Sequence, residues 1–270
     1  LEEELGAPLF TRQARGLSPT DAGAALQAAT GEAFTRLAEG WAAARARSAA
    51  PWLRVSVAPT FGARWLAPRL GRFLAAHPDL DFAVSHSAGY AALGDGRDAD
   101  CAVRWGRGEW PDVEAERLID LTGVVICAPR LLTGPNALRG PEDLGRFTLV
   151  EDALNQKFEG WSDWLRAVGA DAIAAKPRPR IDDIAAVVQM ALSGEAVAIA
   201  PLSIVLDDIT AGRLVIPFSR RLETDVAYYF VCPPGAAERS PMVAAFRAFL
   251  RDEAARERAA IAAREAARSR

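Results

Sequence analysis

Residues 52–85, WLRVSVAPTFGARWLAPRLGRFLAAHPDLDFAVS, indicate an α/β fold class, because strand-like and helix-like patterns follow each other directly in this stretch. The pattern predicts strands at 53–57 and 82–85, with a helix at 65–77 between them. Another strand-like run follows at 101–103. Strands that alternate with helices pair in parallel, so we predict an α/β unit with a parallel sheet.

A second α/β unit is predicted within the first one. Two longer extended stretches, 122–128 and 225–232, flank the middle of the chain. Between them the pattern alternates again and predicts, in chain order, a strand, two helices and a strand at 148–150, 161–168, 184–192 and 196–199. The chain then returns to the first unit for a final helix at 242–250. The sequence therefore predicts two α/β units joined by more than one crossing.

The N-terminal part of the chain follows a different pattern. Residues 1–6, LEEELG, are typical of the end of a helix, because Gly6 stands where a left-handed cap belongs. The next residues suit a two-stranded hairpin with a turn at 13–16. Ser18 at a cap position and Pro19 at the next position then predict the start of a long helix.

This long helix carries one apolar stripe of roughly five turns, with steps of three and four residues. Such a stripe favours pairing with a second copy of the chain through a coiled-coil-like seam, and packing against the chain's own domain is the alternative. The predicted self-association residues are Leu26, Phe34, Leu37 and Trp41.

Composition and charge restrict the class of protein. Hydrophobic residues make up 50% of the chain and charged residues 25%, which is an ordinary globular composition. We expect a cytoplasmic protein without membrane contact, because no apolar run reaches the roughly 18 residues of a membrane span and the first residues lack a signal-peptide pattern. The net charge of −3 argues against a protein that coats nucleic acid, so any DNA contact must be local.

Neither metal nor catalytic chemistry is indicated. Cys101, Cys127 and Cys232 have no metal-type spacing, and the chain has only 2 histidines. We expect reduced, buried thiols, with a redox-sensing cysteine pair as the alternative. The sequence contains no GxSxG, HExxH, Walker A or GxGxxG motif, so we predict no enzyme, no catalytic residues, no metal and no cofactor.

Three stretches together resemble the LysR family of bacterial transcription regulators. LEEELGAPLFTRQARGLSPTDAGAAL at 1–26 resembles the end of the family's recognition helix, its wing and the start of its linker helix. VSVAPTFGARWLAPRLGRFLAAHPDLDF at 55–82 resembles the first strand, effector loop and first helix of its sensing domain. AVRWGRGEWPD at 102–112 and LSGEAVAIAPLSIVLDDITAGRLVIPF at 192–218 most resemble the branch that contains the glycine-cleavage activator and the β-lactamase regulators.

The resemblance implies a fold and an assembly. The expected fold is α/β, with two Rossmann-like subdomains of periplasmic-binding-protein type II architecture behind a linker helix and the remnant of a winged helix-turn-helix. The family forms homodimers or homotetramers and binds promoter DNA and a small-molecule effector. The expected segments are 1–17 for the partial DNA-binding domain, 18–50 for the linker helix, 52–127 with 229–250 and 128–228 for the two subdomains, and 251–270 for a tail.

Two positions depart from the family pattern. The family commonly has glycine in place of Asp112, after Trp110 and Pro111, and in place of Glu195 in its G-x-G turn. The local backbone conformation at both positions is therefore open.

The first predicted wall of an effector site follows strand 53–57, because ligands of open α/β sheets bind beyond the carboxyl ends of the strands. Thr60 presents a hydroxyl there at a helix start, which also suits a carboxylate. A role for Thr60 as a helix cap only is the alternative. Phe61 and Trp65, which follow in the same segment, complete this part of the prediction.

The next strand end in the same sheet contains Trp105, Gly106 and Arg107, an aromatic and a cation beside a glycine that lets backbone approach a ligand. We predict that they form a facing wall. A surface loop in which Trp105 and Trp110 pack on the domain is the alternative.

Strand ends of the second unit supply the other predicted contacts. Asp152 follows strand 148–150, Pro201 follows strand 196–199, and Asp183 precedes a helix. These carboxylates suit an amino group, but Asp183 is equally well explained as a helix cap. Tyr228, on the returning strand, closes the cleft with its hydroxyl or belongs to the core.

Arg12 and Arg15, near the hairpin tip, are predicted phosphate contacts, with solvated surface charge as the alternative. The tail at 251–270 is nearly balanced in charge, which favours a solvated helix or frayed end over a DNA arm.

The sequence thus predicts a DNA-binding regulator that senses an anionic or amino-acid-like metabolite in a cleft between two subdomains. A stand-alone solute-binding protein of the same fold is the alternative.

Overall fold

The computed structural model describes residues 1–13, 16–46, 52–86, 99–153, 160–174 and 178–268. These residues form a small hairpin, a long helix and two five-stranded sheets that carry helices. The predicted architecture of two α/β lobes behind a long helix is confirmed. None of the described helices is long and apolar enough to cross a membrane.

The N-terminal segment contains the predicted helix end and hairpin. Helix α1 (Glu2–Leu5) ends at Gly6, whose φ of 65° is the expected left-handed cap. Strands β1 (Phe10–Gln13) and β2 (Gly16–Pro19) pair antiparallel, and the long helix α2 (Asp21–Ala46) follows them.

The start of α2 differs from the prediction. Strand β2 runs as far as Pro19, so Ser18 and Pro19 are strand residues and not the first residues of the helix. Thr20 caps the helix instead, because its Oγ1 accepts a hydrogen bond from the amide of Gly23 at 3.0 Å and donates one to the carbonyl of Pro8 at 2.7 Å. Pairing within the hairpin overrides the local preference of the Ser-Pro pair for a helix start.

The first lobe begins with strand β3 (Trp52–Val57), a π-helical stretch (Phe61–Leu66), helix α3 (Ala67–Ala76), and strands β4 (Asp81–His86), β5 (Cys101–Gly106) and β6 (Glu114–Asp120). Strand β3 pairs in parallel with both β4 and β5, as the sequence predicts. Strand β6, a half-exposed edge strand rich in charged residues, was not predicted.

The second lobe comprises β7 (Gly123–Ile126), β8 (Leu149–Asp152), α4 (Trp161–Ala167), α5 (Asp171–Ala174), β9 (Arg180–Ile181), α6 (Ile184–Leu192), β10 (Val197–Pro201), α7 (Leu202–Thr210) and β11 (Arg221–Leu222). Its sheet has the order β11-β7-β10-β8-β9, with β10 parallel to β8 and antiparallel to β7. The chain then returns to the first lobe through β12 (Ala227–Cys232), α8 (Ala236–Arg239) and α9 (Pro241–Arg268). Strand β12 lies between β5 and β6, which gives the first sheet the order β4-β3-β5-β12-β6.

Each lobe buries a core of its own. Large side chains that are fully buried in the first lobe are Phe61, Trp65, Phe230 and Phe246. The second lobe has two apolar clusters, one with Ile126, Val188 and Leu214 and the other with Trp161, Trp164 and Leu165. One side chain of α7, Ile204, packs in the core of the first lobe, so the lobes are in direct contact.

The chain crosses between the lobes at points that differ slightly from the predicted boundaries at 127 and 228. Strand β7 pairs with β10 and β11 and so belongs to the second sheet, whereas the first residues of β12 pair with β5 and β6. The crossings therefore lie near 121–122 and 223–226. Apolar periodicity shows that 122–128 is extended and buried, but not which sheet it joins.

Helix α9 is longer than predicted. It does not end at Leu250 but continues to Arg268, and Glu253, Ala254 and Glu257 in the segment predicted as a tail are buried. Further along the helix, the Arg264 guanidinium donates to the Ile209 carbonyl of the second lobe at 3.4 Å. Small alanines and long arginine stems let this charged segment pack against both lobes, which its charge balance does not indicate.

The three cysteines are free and buried, as expected. Burial raises the pKa of all three thiols, that of Cys127 to about 12. At neutral pH these sulfurs are therefore protonated, which disfavours the alternative of a redox-sensing pair.

Asp112, the first departure from the family pattern, has a positive φ. Its φ is 59°, and it is the only residue other than glycine with a positive φ among the residues that the structure describes. The second departure, Glu195, lies outside the positive-φ region, while the neighbouring Gly194 has a φ of 68°. Asp112 thus adopts the left-handed conformation although it has a side chain.

Candidate functional site

A cavity of about 430 Å³ lies between the two lobes, at the carboxyl ends of β3, β8 and β10. Cavities that hold small molecules are typically about 300–1,000 Å³. Its wall consists of Ala58, Pro59, Thr60, Trp105, Leu121, Thr224 and Tyr228 from the first lobe and the crossings, and of Gly123, Asp152, Asp182, Asp183, Ile184, Ile199, Ala200, Pro201 and Leu222 from the second lobe.

Thr60 lies at the cavity wall at the start of a continuous helical segment, 59–76. Its φ and ψ of −65° and −40° are already helical, and its side chain makes no capping hydrogen bond. The alternative that Thr60 is only a helix cap is therefore wrong, and its hydroxyl is available to the cavity.

Phe61 and Trp65 do not line the cavity but lie beneath its wall, and both are fully buried. Their rings stack with centroids 4.7 Å apart, and Phe61 also contacts the ring of Tyr228 at 4.7 Å. Successive helical residues point in different directions, so only Thr60 of the three predicted residues faces the ligand space. Phe61 and Trp65 instead fix the positions of Thr60 and Tyr228.

The predicted wall at the end of β5 is present only in part. Trp105 lines the cavity, whereas Gly106 and Arg107 do not. Gly106 is covered by the ring of Trp110, whose Cζ2 would lie 2.8 Å from a Cβ at that position. Arg107 points to solvent, where its Nε donates to Asp225 at 2.6 Å. The absence of a side chain at Gly106 thus makes room for the ring of Trp110 and not for a ligand.

Tyr228 is 5% exposed, and it lines the cavity. Burial raises the pKa of its phenol, and the negative charge of Asp152 raises it further, so the hydroxyl is a neutral donor at any physiological pH. Within the described part of the chain no group exchanges a hydrogen bond with this hydroxyl. A buried hydroxyl without a protein partner is suited to bind a polar group of a ligand.

The wall contributed by the second lobe is acidic. Asp152 ends β8, and Asp182 and Asp183 follow β9. One oxygen of Asp183 accepts a hydrogen bond from the amide of Ala185 at 2.9 Å, so the alternative of a helix cap is correct for this residue, which also lines the cavity. Pro201, at the end of β10, completes the predicted contacts on this side.

Sequence reasoning missed most of the apolar wall and the connection between the lobes. Leu121, Ile199 and Leu222 line the cavity, and the hydroxyl of Thr224 donates to the carbonyl of Leu121 at 2.5 Å across the two crossings. The strand-end rule that found Asp152 also applies to Ile199, but the positions of Leu121 and Leu222 depend on where the chain crosses.

A charged cluster joins the lobes behind the cavity. The indole Nε1 of Trp65 donates to Glu257 of α9 at 2.5 Å, and the guanidinium of Arg69 lies 3.6 Å from the same carboxylate and 2.9 Å from Asp207 of α7. Arg64 pairs with Asp208 of α7. Burial is the main reason why the pKa of Glu257 rises to about 7, although Trp65 and Arg69 lower it.

The predicted DNA-contact and self-association residues lie outside the lobes. Arg12 is on β1 with an exposed side chain, and Arg15 lies outside the described residues. On α2, Leu26 is half-buried, and Phe34 and Leu37 are 57% and 67% exposed; the side chain of Trp41 is outside the described part.

Comparison with known proteins gives consistent results. A family model described as "LysR substrate binding domain" matches residues 46–255. The glycine cleavage system transcriptional activator of Escherichia coli (strain K12) is 37% identical over 258 residues, which cover 95% of this chain and 83% of that protein. The HTH-type transcriptional activator AmpR of Rhodobacter capsulatus is 31% identical over 256 residues, 94% of this chain and 85% of that protein. These relatives are transcription regulators and not enzymes, which confirms the predicted class.

Solved structures agree with this assignment. The effector domain of the transcriptional regulator AmpR of Pseudomonas aeruginosa superposes with a TM-score of 0.62 at 28% identity and covers 77% of this chain and 97% of that chain. CrgA, a LysR-type transcriptional regulator from Neisseria meningitidis, has a TM-score of 0.61 at 21% identity over 94% of this chain and 86% of that chain, and so supports the fold alone. The chain belongs to the LysR family of transcription regulators and contains its substrate-binding domain.

Proposed function

We propose that this chain senses a small metabolite in the cleft between its lobes and regulates transcription in the cytoplasm. The observation that carries the proposal is the cavity wall, in which hydroxyls of Thr60 and Tyr228 on one lobe face carboxylates of the other. A small molecule that contacts both walls binds the closed arrangement of the lobes more tightly than the open one. Its binding therefore shifts the population toward closure.

The N-terminal segment would transmit the closure of the lobes to the bound DNA. We propose that α2 pairs with the α2 of a second chain along Leu26, Phe34, Leu37 and Trp41, and that Arg12 and Arg15 contact phosphates. A change in the angle between lobes then alters the spacing of two DNA-binding segments. The hairpin and α2, together with the family match, favour a regulator over a stand-alone solute-binding protein.

A metabolite screen tests the proposal. Fractions of a small-molecule cell extract are added to the full chain, and the unfolding temperature is measured. At least one fraction is expected to raise Tm by several degrees, because a ligand at about 100 times its Kd adds about 2.7 kcal/mol to the free energy of unfolding. The shift is expected to shrink in Thr60→Val and Tyr228→Phe, which remove hydroxyls without changing side-chain shape.

Tyr229→Phe is the matched control, because its hydroxyl lies on the opposite face of β12 and donates to the carbonyl of Arg107. A screen without any stabilising fraction contradicts the proposal. So does a stabilising fraction whose effect is equal in Tyr228→Phe and Tyr229→Phe.

A further inference from the structure

The charges of the cavity wall are all of one sign. The wall contains three carboxylates, Asp152, Asp182 and Asp183, and no lysine, arginine or histidine among the residues that the structure describes there. All three lie on the second lobe, at the ends of β8 and β9. One oxygen of Asp183 also accepts a hydrogen bond from the backbone amide of Ala185 and so caps α6.

Arginines near this wall are directed elsewhere. Arg180, which precedes Asp182, pairs with Glu151 at 3.3 Å, and Arg107 pairs with Asp225 at 2.6 Å. Neither guanidinium lines the cavity. These two guanidinium groups therefore pair with carboxylates outside the cavity wall.

Tyr228 is an independent sign that the cavity receives a polar ligand. The residue is only 5% exposed, and among the described residues none exchanges a hydrogen bond with its hydroxyl. Tyr228 of the first lobe and Asp152 of the second lobe line the same cavity. A group that lies between them meets a neutral hydroxyl on one side and a negative charge on the other.

We infer that the metabolite carries a protonated amino group that binds against Asp152 and Asp182, so that it is an amine or an amino acid and not a carboxylate-only compound. This rests on the proposed function. An ammonium group loses its hydration in a closed cleft and needs charged acceptors in return, which the aspartates supply. A ligand with carboxylates alone is repelled by the same groups, because the repulsion between like charges is stronger at short distance and in a partly buried site than in bulk water.

Matched probes test the charge of the ligand directly. Each L-amino acid is compared with its deaminated carboxylate, and linear monoamines and diamines of two to five carbons are added as a third set. Binding to the full chain is measured by thermal shift and by calorimetry. Probes with an ammonium group are expected to raise Tm and bind at least tenfold more tightly than the matched carboxylates.

Variants locate the binding. Asp152→Asn and Asp182→Asn keep the side-chain shape and remove the charge, and each is expected to weaken binding of the best ammonium probe by tenfold or more. Asp252→Asn, an exposed carboxylate of α9 outside the cavity, is the control and is expected to leave binding unchanged. The ranking of probes on the unmodified chain is informative even where a variant unfolds.

Three results overturn the inference. The first is tighter binding of the deaminated carboxylates, and the second is ammonium binding that Asp152→Asn and Asp182→Asn leave unchanged. The third is the absence of any shift with ammonium probes at 50 mM, since a ligand at about 100 times its Kd adds about 2.7 kcal/mol to the free energy of unfolding. Carboxylate binding that depends on Tyr228 and Thr60 would leave the proposed metabolite cleft standing, and the extract screen decides that function separately.

Discussion

At the scale of single residues, the site depends on which side chain of a local cluster faces the cavity. Thr60, Phe61 and Trp65 are near neighbours in sequence, yet only Thr60 reaches the ligand space, while the two rings pack beneath it. The sequence identifies the strand end and the type of chemistry available there. The direction of each side chain depends on the π-helical stretch that begins at Phe61, which no residue pattern signals.

Asp112 gives a prediction at the same scale. Its φ of 59° is unfavourable for a residue with a Cβ, and glycine adopts that conformation freely. Asp112→Gly is therefore expected to raise the free energy of unfolding by about 0.5–1 kcal/mol, or Tm by about 2 °C, as measured by thermal unfolding.

The control is Asp79→Gly, at a turn position without a positive φ. There glycine only adds flexibility to the unfolded chain, so this variant is expected to be less stable than the original protein. Equal effects of the two substitutions would contradict the argument from backbone conformation.

Among the secondary-structure elements, buried strands and helices with a clear apolar periodicity are predicted well. Elements that are rich in charged residues are predicted poorly. Helix α6 has the predicted bounds, Ile184–Leu192, because Asp183 caps it and Ser193-Gly194 end it. The edge strand β6 and the second half of α9 were missed, since both are rich in charge. Their burial comes from contacts with distant parts of the chain.

Helix α9 provides the prediction for this scale. A chain that ends at Leu250 loses the buried residues Glu253, Ala254 and Glu257 and leaves the buried indole N–H of Trp65 without its acceptor. An unsatisfied buried donor alone costs about 1–3 kcal/mol. We expect Tm to fall by at least about 5 °C in thermal unfolding.

A chain that ends at Ala266 is the control, because it keeps Arg264 and Glu265, which contact the second lobe. It is expected to unfold near the temperature of the full chain. A truncation at Leu250 that leaves Tm unchanged would show that the segment from 251 onward is a solvated tail after all.

At the scale of the whole molecule, the cluster of Trp65, Arg69, Asp207 and Glu257 connects both lobes with α9. The pKa of Glu257 is about 7 in the folded protein, against an ordinary value of 4.5. Between these values the folded chain holds a proton that the unfolded chain has released. The free energy of unfolding therefore falls as pH rises through this window, by at most about 3 kcal/mol.

Glu257→Gln tests this linkage. The amide is neutral at every pH and retains an oxygen that accepts from the indole of Trp65, so the loss of stability between pH 5 and pH 8 is expected to be smaller than in the original protein. Denaturant unfolding at both pH values measures the difference. Glu109→Gln, an exposed position, is the control and is expected to keep the original pH dependence; identical behaviour of both variants would rule out Glu257 as the source.

The class of fold, the family and most of the strand ends that form the cleft can be predicted from the amino-acid sequence, because they follow from short-range periodicity and from motifs within single stretches. Three features become visible only in the folded chain: where the chain crosses between the sheets, which residues of a strand end point into the cavity, and the packing of α9 against both lobes. These features depend on contacts between segments that are more than a hundred residues apart, such as the hydrogen bond from Trp65 to Glu257. Local sequence patterns do not indicate which distant residues will be in contact.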